Sequence, residues 1–183
     1  MEWTIPGTLL TIPRQEAQGV EQIFATMFLP GGMTLGQITG ITGIEAYTVQ
    51  NWVKRGFLAP PEKKRYSQNQ LCRILTIQSL KSVLSLEQIC SLIGYVNGRL
   101  DSAEDDIIDD SHLYFLFVKL ADRIQELYDQ NCQETVLESV LSDYQEPVPG
   151  AKERVKKALR VMLTAFLASR MVDAAGKMLK TMH

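Results

Sequence analysis

Apolar residues recur at helical intervals throughout residues 33–97, the most regularly patterned part of the chain. Thr34 is placed to cap a helix, because its hydroxyl can accept hydrogen bonds from the free amides of the first turn. Gly43 suits the end of that helix, since glycine adopts the left-handed conformation at little steric cost. The pattern predicts one short helix before Gly43 and a second helix over residues 45–55. Their buried stripes are Leu35, Ile38 and Ile41 in the first helix and Val49, Trp52 and Val53 in the second.

The second helix carries amide, hydroxyl and basic side chains opposite its apolar stripe. Two short helices joined at a glycine, the second polar on its outer side, are typical of a helix-turn-helix. The prolines at 60 and 61 then exclude further helix, and the basic run KKRY at 63–66 predicts a short wing. Two more helices follow at helical spacing, and Ser85 is placed to cap the second of them.

Several motifs occur in order along this segment: Thr34-Leu35-Gly36-Gln37-Ile38, Gly43-Ile44, Thr48-Val49, Trp52, Gly56-Phe57-Leu58, Pro60-Pro61, Tyr66-Ser67 and Ser85-Leu86-Glu87-Gln88-Ile89. In this order they resemble the DNA-binding domain of the MerR-type transcription regulators. More narrowly, NWVK at 51–54, PPEKKRYS at 60–67 and LKSVLS at 80–85 resemble an uncharacterised bacterial family, the domain of unknown function 1836. The resemblance implies binding to double-stranded DNA by a winged helix-turn-helix.

The resemblance also implies roles for individual side chains. The helix over 45–55 is expected to enter the major groove, where an amide side chain pairs bidentately with adenine. Gln50 stands where MerR-type regulators usually carry a basic residue, which favours base readout over phosphate contact at that position. Base reading is expected of Tyr47, Gln50 and Asn51. Contacts to the DNA backbone are expected of Thr34, Thr48, Lys54, Arg55, Lys63, Lys64, Arg65 and Tyr66.

Charge is distributed unevenly along the 183 residues, although the net charge is only −2. Residues 54–81 contain seven basic residues and one acidic residue, whereas residues 101–146 contain thirteen acidic and two basic residues. Salt screens charges beyond ~8 Å at physiological ionic strength, so the local field decides phosphate affinity. A basic face near the wing is therefore compatible with a slightly acidic protein, and a merely solvated loop is the simpler alternative.

The chain divides by pattern into four segments. Residues 1–32 are expected to form an N-terminal arm and a helix over 16–28, and residues 33–97 the DNA-binding domain. Residues 98–106 predict a linker, and residues 107–183 a helical C-terminal dimerisation or effector region. There, 107–141 predicts one long helix or two, and 151–178 predicts a final helix.

The stretch 161–168 is almost entirely apolar and needs cover on nearly every side. A homodimer built from the last two long helices is the expected cover. A ligand pocket lined by Met162, Phe166 and Met171 is the alternative, which leaves open an unknown small-molecule or protein effector.

Other chemistry has little support in the sequence. Cys72, Cys90 and Cys132 are isolated and not spaced with either histidine for a metal site, so neither a metal nor a cofactor is expected. No nucleophile and base stand in a known motif, and an enzyme is not expected. The N-terminus lacks a signal-peptide pattern and no apolar stretch approaches the ~20 residues that span a bilayer, which predicts a cytoplasmic protein without membrane contact.

The sequence thus predicts an all-α protein, a transcription regulator that binds a palindromic operator as a homodimer. The alternative is a non-catalytic adapter that uses the helix-turn-helix surface for protein contacts.

Overall fold

The structure, a computed structural model, describes residues 2–98, 106–123 and 130–182, with side chains from 133 onward in the last range. It is mostly helical, as predicted. A short antiparallel pair of strands, β1 (Glu2–Thr4) and β2 (Thr11–Pro13), comes first, and a 3-10 helix (Arg14–Gly19) follows. The helices are α1 (Val20–Phe28), α2 (Leu35–Thr42), α3 (Ala46–Lys54), α4 (Gln68–Leu80), α5 (Leu86–Asn97), α6 (Asp110–Asp122), α7 (Gln130–Val140) and α8 (Ala151–Lys180).

Side-chain caps set where several of these helices begin. The predicted caps at Thr34 and Ser85 are confirmed, and each forms a reciprocal capping box with a glutamine three residues later. Ser67 forms the same box at the start of α4, although the sequence argument did not single it out. Asp109 accepts from the amide of His112 at 2.8 Å and caps α6.

Helix α4 lies at the centre of the molecule and packs against α6, α8 and α5. Its residues from Leu71 to Ile77 are all buried, because the helix carries apolar side chains on nearly every side. The buried cation of α4, Arg73, donates from Nε to Asp110 Oδ2 at 2.8 Å. This buried ion pair joins α4 to α6, which lies in the C-terminal half of the chain.

The N-terminal arm packs on the C-terminal half of the chain. Tyr114 Oη donates to the carbonyl of Pro6 at 2.7 Å, and Ile5 is fully buried. Phe24 of α1 meets Tyr114 and Phe115 at ring distances of 6.0 and 5.6 Å. The predicted helix over 16–28 is partly wrong, since its first turns are 3-10 and the α-helix begins at residue 20. Residues 7–10 form the connection between β1 and β2.

Two separate helices, α6 and α7, occupy the segment 107–141, while residues 124–129 and the proposed linker residues 99–105 lie outside the described part of the chain. The division into four segments stays a prediction. Within the stretch 161–168, the chain's own helices bury Met162, Leu163 and Ala165, whereas Val161 is 46% exposed, and the homodimer stays a prediction. Phe166 packs edge-on against Phe117 at 5.3 Å, whereas Met171 is 59% exposed, so the three residues suggested for a pocket do not share one.

Candidate nucleic-acid interface

Local hydrogen bonds fix the start of α2 and the turn that follows it. The amide of Gln37 donates to Thr34 Oγ1 at 3.3 Å, and the amide of Thr34 donates to Gln37 Oε1 at 2.9 Å. Gly43 has φ 68°, and its amide donates to the carbonyl of Thr39 at 2.8 Å. The hydroxyl of Thr34 serves this cap, and the contact to the DNA backbone predicted for Thr34 stays a prediction.

The exposed side of α3 brings the predicted base-reading residues together. Tyr47 is 71% exposed, and Gln50 and Asn51 are also exposed. Lys54 lies on the same side one turn later, since residues three, four and seven apart are neighbours on a helix surface. Thr48 is half-buried at the edge of this side. The apolar side of α3 packs into the core, so the polar side of this helix is held in a fixed orientation.

A two-residue turn places Lys63 and Lys64 at the tip of a small hairpin, the 62–65 hairpin. The amide of Arg65 donates to the carbonyl of Glu62 at 2.8 Å, and the two residues form an isolated antiparallel bridge. Lys63 has φ 47° and Lys64 has φ 64°, a region that favours asparagine and glycine in such turns. Each lysine costs ~1 kcal/mol of backbone strain here.

The base of the hairpin is anchored to the strand-like residue before α2. The amide of Met33 donates to the carbonyl of Tyr66 at 2.9 Å, and the amide of Tyr66 donates back at 2.7 Å. Tyr66 is only 3% exposed, and burial raises the pKa of its hydroxyl. Gly32 has φ 102°, and a Cβ there would lie 2.9 Å from the Tyr66 carbonyl oxygen. Tyr66 therefore acts mainly as the anchor of the hairpin and offers little surface for the contact predicted for it.

An apolar groove of about 450 Å³ separates α3 from the 62–65 hairpin. Lys54 lines it from α3 and Lys64 lines it from the hairpin, while Leu35, Val53 and Pro61 supply apolar surface. A larger and more polar groove of about 920 Å³ lies between the hairpin, the end of α1 and the start of α4. The hairpin thus stands between two grooves and presents basic residues to both, Lys64 to the groove beside α3 and Lys63 with Arg65 to the polar groove.

Two of the predicted backbone contacts are already engaged within the chain. Arg55 Nη2 forms an ion pair with Glu87 Oε1 at 2.7 Å, and its guanidinium lies 4.5 Å from the centre of the Phe57 ring. A backbone hydrogen bond at the start of α5, together with Arg55, lowers the pKa of Glu87. Arg65 Nη1 donates to the carbonyl of Gly32 at 2.9 Å. Both arginines remain exposed, so they keep part of their donor capacity for a ligand.

The basic field predicted from the sequence is therefore carried by fewer residues than the count over 54–81 suggests. Arg73 is buried against Asp110, whose pKa is raised by burial despite the arginine beside it. Within the described residues, Lys54, Lys63 and Lys64 form no ion pair with an acidic side chain. Lys54 and Lys64 line the apolar groove from either side, whereas Lys63 lines the polar groove. These three lysines are the cations of the 33–66 segment that are most available to an anionic ligand.

Sequence reasoning missed two features of this site. The left-handed backbone strain at Lys63 and Lys64 could not be predicted in full. The basic run that follows Glu62 indicates a loop, but it does not specify a two-residue turn. The partners of Arg55 and Arg73 are 32 and 37 residues away along the chain, and no local pattern indicates them.

Part of the chain matches a family model whose activity is not described. Residues 33–117 match the family model described as Domain of unknown function (DUF1836). The narrower family resemblance is thus confirmed over these residues, which run from the start of α2 into α6 and include every candidate site residue. The chain is also similar to the Uncharacterized protein YkrK of Bacillus subtilis (strain 168), with 26% identity over 156 residues that cover 79% of this chain and 67% of the relative. No solved structure matches the chain.

None of the helices in the described part of the chain has both the length and the apolar character that a membrane span requires.

Proposed function

We propose that this protein is a sequence-specific DNA-binding transcription regulator whose residues 33–97 form a MerR-like winged helix-turn-helix. The exposed side of α3 next to the 62–65 hairpin supports the proposal most directly. Tyr47, Gln50 and Asn51 lie there together, flanked by lysines that have no acidic partner among the described residues. In this proposal α3 is the recognition helix and the hairpin is the wing.

In the proposed mechanism, different residues read the bases and bind the phosphates. The major groove, about 12 Å wide, admits α3 with its exposed side towards the base edges. Gln50 or Asn51 pairs with adenine N6 and N7, and each good pair contributes ~1–3 kcal/mol of discrimination. Lys54 and Lys64 neutralise phosphates on opposite sides of the apolar groove, and Lys63 neutralises a further phosphate from the hairpin tip. These contacts fix the register without reading sequence. Arg55 and Arg65 contribute less, because part of their hydrogen bonding is spent within the chain.

The proposed regulator acts as a homodimer on a palindromic operator. Two-fold symmetry would place two copies of α3 in successive major grooves on one side of the duplex, with half-sites about 34 Å apart.

Selection from a pool of randomised duplexes tests the proposal. The wild type should enrich an inverted repeat, and Gln50→Ala with Asn51→Ala should relax base preference at the α3 positions by about 10- to 100-fold while leaving the salt dependence unchanged. Gln15→Ala with Gln18→Ala is the matched control, since it removes two exposed amides outside α2 and α3. A pool with no enrichment and no salt-dependent binding would refute DNA binding by the free protein.

The apolar groove favours a second candidate, a non-catalytic adapter that docks proteins on the same surface. Leu35, Val53 and Pro61 offer the adapter an apolar contact that a phosphate backbone does not need. An adapter would bind duplex DNA neither tightly nor in a salt-dependent manner, and replacing Lys63, Lys64 and Arg65 would leave its partner affinity unchanged.

A further inference from the structure

The connection between β1 and β2, here called the 5–10 loop, touches three parts of the molecule. Thr8 holds the loop in shape, because its hydroxyl donates to the carbonyl of Ile5 at 2.9 Å and accepts from the amide of Leu10 at 2.9 Å. The amide of Ile5 also donates to the carbonyl of Leu10 at 3.0 Å, and both Ile5 and Thr8 are buried. These bonds close the loop on itself, so it moves as one piece.

One side of the 5–10 loop is fixed to the core helices. Tyr114 of α6 is fully buried and donates from Oη to the carbonyl of Pro6 at 2.7 Å. Gly7 has φ 76°, and a Cβ there would lie 2.4 Å from the carbonyl oxygen of Leu75 and 2.9 Å from Ser79 Oγ, both in α4. The backbone of the loop therefore lies directly against α4, with no room for a side chain between them.

The other side of the 5–10 loop is fixed to the turn between α2 and α3. The amide of Leu9 donates to the carbonyl of Ile41 at 2.8 Å. Ile41 lies in the last turn of α2, where carbonyls lack partners within the helix. The Leu9 side chain lies over Gly43, since a Cβ on that glycine would lie 3.1 Å from Leu9 Cδ1. Leu9 is nevertheless 65% exposed, so it contributes little to the buried core.

We infer that the 5–10 loop positions the proposed recognition helix α3, because it ties the α2–α3 turn to α6. The turn sets the angle at which α3 leaves α2, and α2 in turn packs on α4. Groups that bind a ligand specifically have to be held within about 0.5 Å of their productive geometry. A displacement of α6 reaches the turn through Tyr114, the closed loop and Leu9. Tyr114 and Leu9 are therefore positioning residues, which act on α3 through the turn.

This inference deepens the proposed function and rests on it where DNA affinity is measured, but its first test needs no DNA. Tyr114→Phe removes the hydroxyl that holds Pro6 and keeps the aromatic ring. Tyr144→Phe is the matched control, since it removes another buried hydroxyl, which donates to the carbonyl of Ile107 within the C-terminal half. In hydrogen exchange, the amides of Leu9 and of the α2–α3 turn should exchange about two- to tenfold faster in Tyr114→Phe than in Tyr144→Phe, the factor that one hydrogen bond contributes.

DNA affinity provides the second test, with a duplex that the wild type selects. Tyr114→Phe and Leu9→Ala should each weaken binding by about two- to tenfold, with the salt dependence unchanged. The double variant should bind no more weakly than the weaker single variant, because both substitutions interrupt the same path. Leu9→Met should retain wild-type affinity. Leu29→Ala, at a leucine that is 81% exposed at the end of α1, is the control and should bind as the wild type does.

Three results would overturn the inference: equal exchange at the α2–α3 turn in the two tyrosine variants, affinity losses that add in the double variant, or an equal loss in Leu29→Ala. If the wild type selects no duplex, the DNA-binding proposal fails, and the exchange comparison still decides whether the loop positions α3.

Discussion

Replacing Lys63-Lys64 by Asn-Gly distinguishes the effect of backbone strain in the 62–65 hairpin from the effect of its charge. Both lysines hold positive φ, 47° and 64°, in a two-residue turn. Asn-Gly is the pair that such turns prefer, because asparagine and glycine tolerate the left-handed region. Replacing the same pair by Arg-Arg is the matched control, since it keeps both charges and both strained conformations.

Stability and affinity should move in opposite directions in the Asn-Gly variant. Relief of left-handed strain at two positions is worth roughly 1–2 kcal/mol in the free energy of unfolding. For a chain of this size that raises Tm by about 2–8 °C. A dimer that loses four lysine–phosphate contacts should lose about 3.6 from the slope of log affinity against log salt, at ~0.9 for each contact. Near physiological salt the affinity would fall by up to about a thousandfold.

Circular dichroism during thermal unfolding measures the first effect, and fluorescence anisotropy with a labelled duplex at about 50–300 mM salt measures the second. The Arg-Arg variant should match the wild type in both assays. A lower or unchanged Tm in the Asn-Gly variant would refute the strain argument. An unchanged salt slope would refute phosphate contact by the wing, even if the strain argument holds.

Two further predictions concern the scaffold. Gly43→Ala should lower the free energy of unfolding by ~1–2 kcal/mol, because φ is 68° and the new Cβ would lie 3.1 Å from Leu9 Cδ1. Gly36→Ala, the control in the helix that Gly43 ends, should raise the free energy of unfolding by up to ~1 kcal/mol. Equal effects of the two substitutions in urea denaturation would contradict the argument. Arg73→Met should cost ~3–5 kcal/mol by leaving Asp110 buried and unpaired. Burial raises the pKa of Asp110, so the folded chain holds that proton more tightly than the unfolded chain. The wild type should therefore lose stability relative to Asp110→Asn as the pH rises above 3.8, and a parallel pH dependence of the two proteins would contradict this.

Parts of the candidate site followed from local sequence alone. The cap at Thr34, the turn at Gly43 and the outward side of α3 depend on residues within a few positions of one another, and the structure places them as expected. The apolar stretch at 161–168 shows where such reasoning fails. Its period requires cover, but the period does not reveal whether the cover comes from the chain itself or from a second copy.

The sequence by itself determined the mostly helical character of the chain, the starts of α2 and α5, and the side of α3 that faces solvent. These features depend on interactions over one or two helical turns, so the local pattern contains the physics that sets them. Only the tertiary structure decided which cations are available and which apolar residues are covered. Arg55 and Arg73 are drawn to Glu87 and Asp110 from distant elements, and the left-handed turn at residues 63 and 64 is imposed by the pairing of Glu62 with Arg65. Such partners are brought together by packing between elements far apart in the chain, which no local pattern contains.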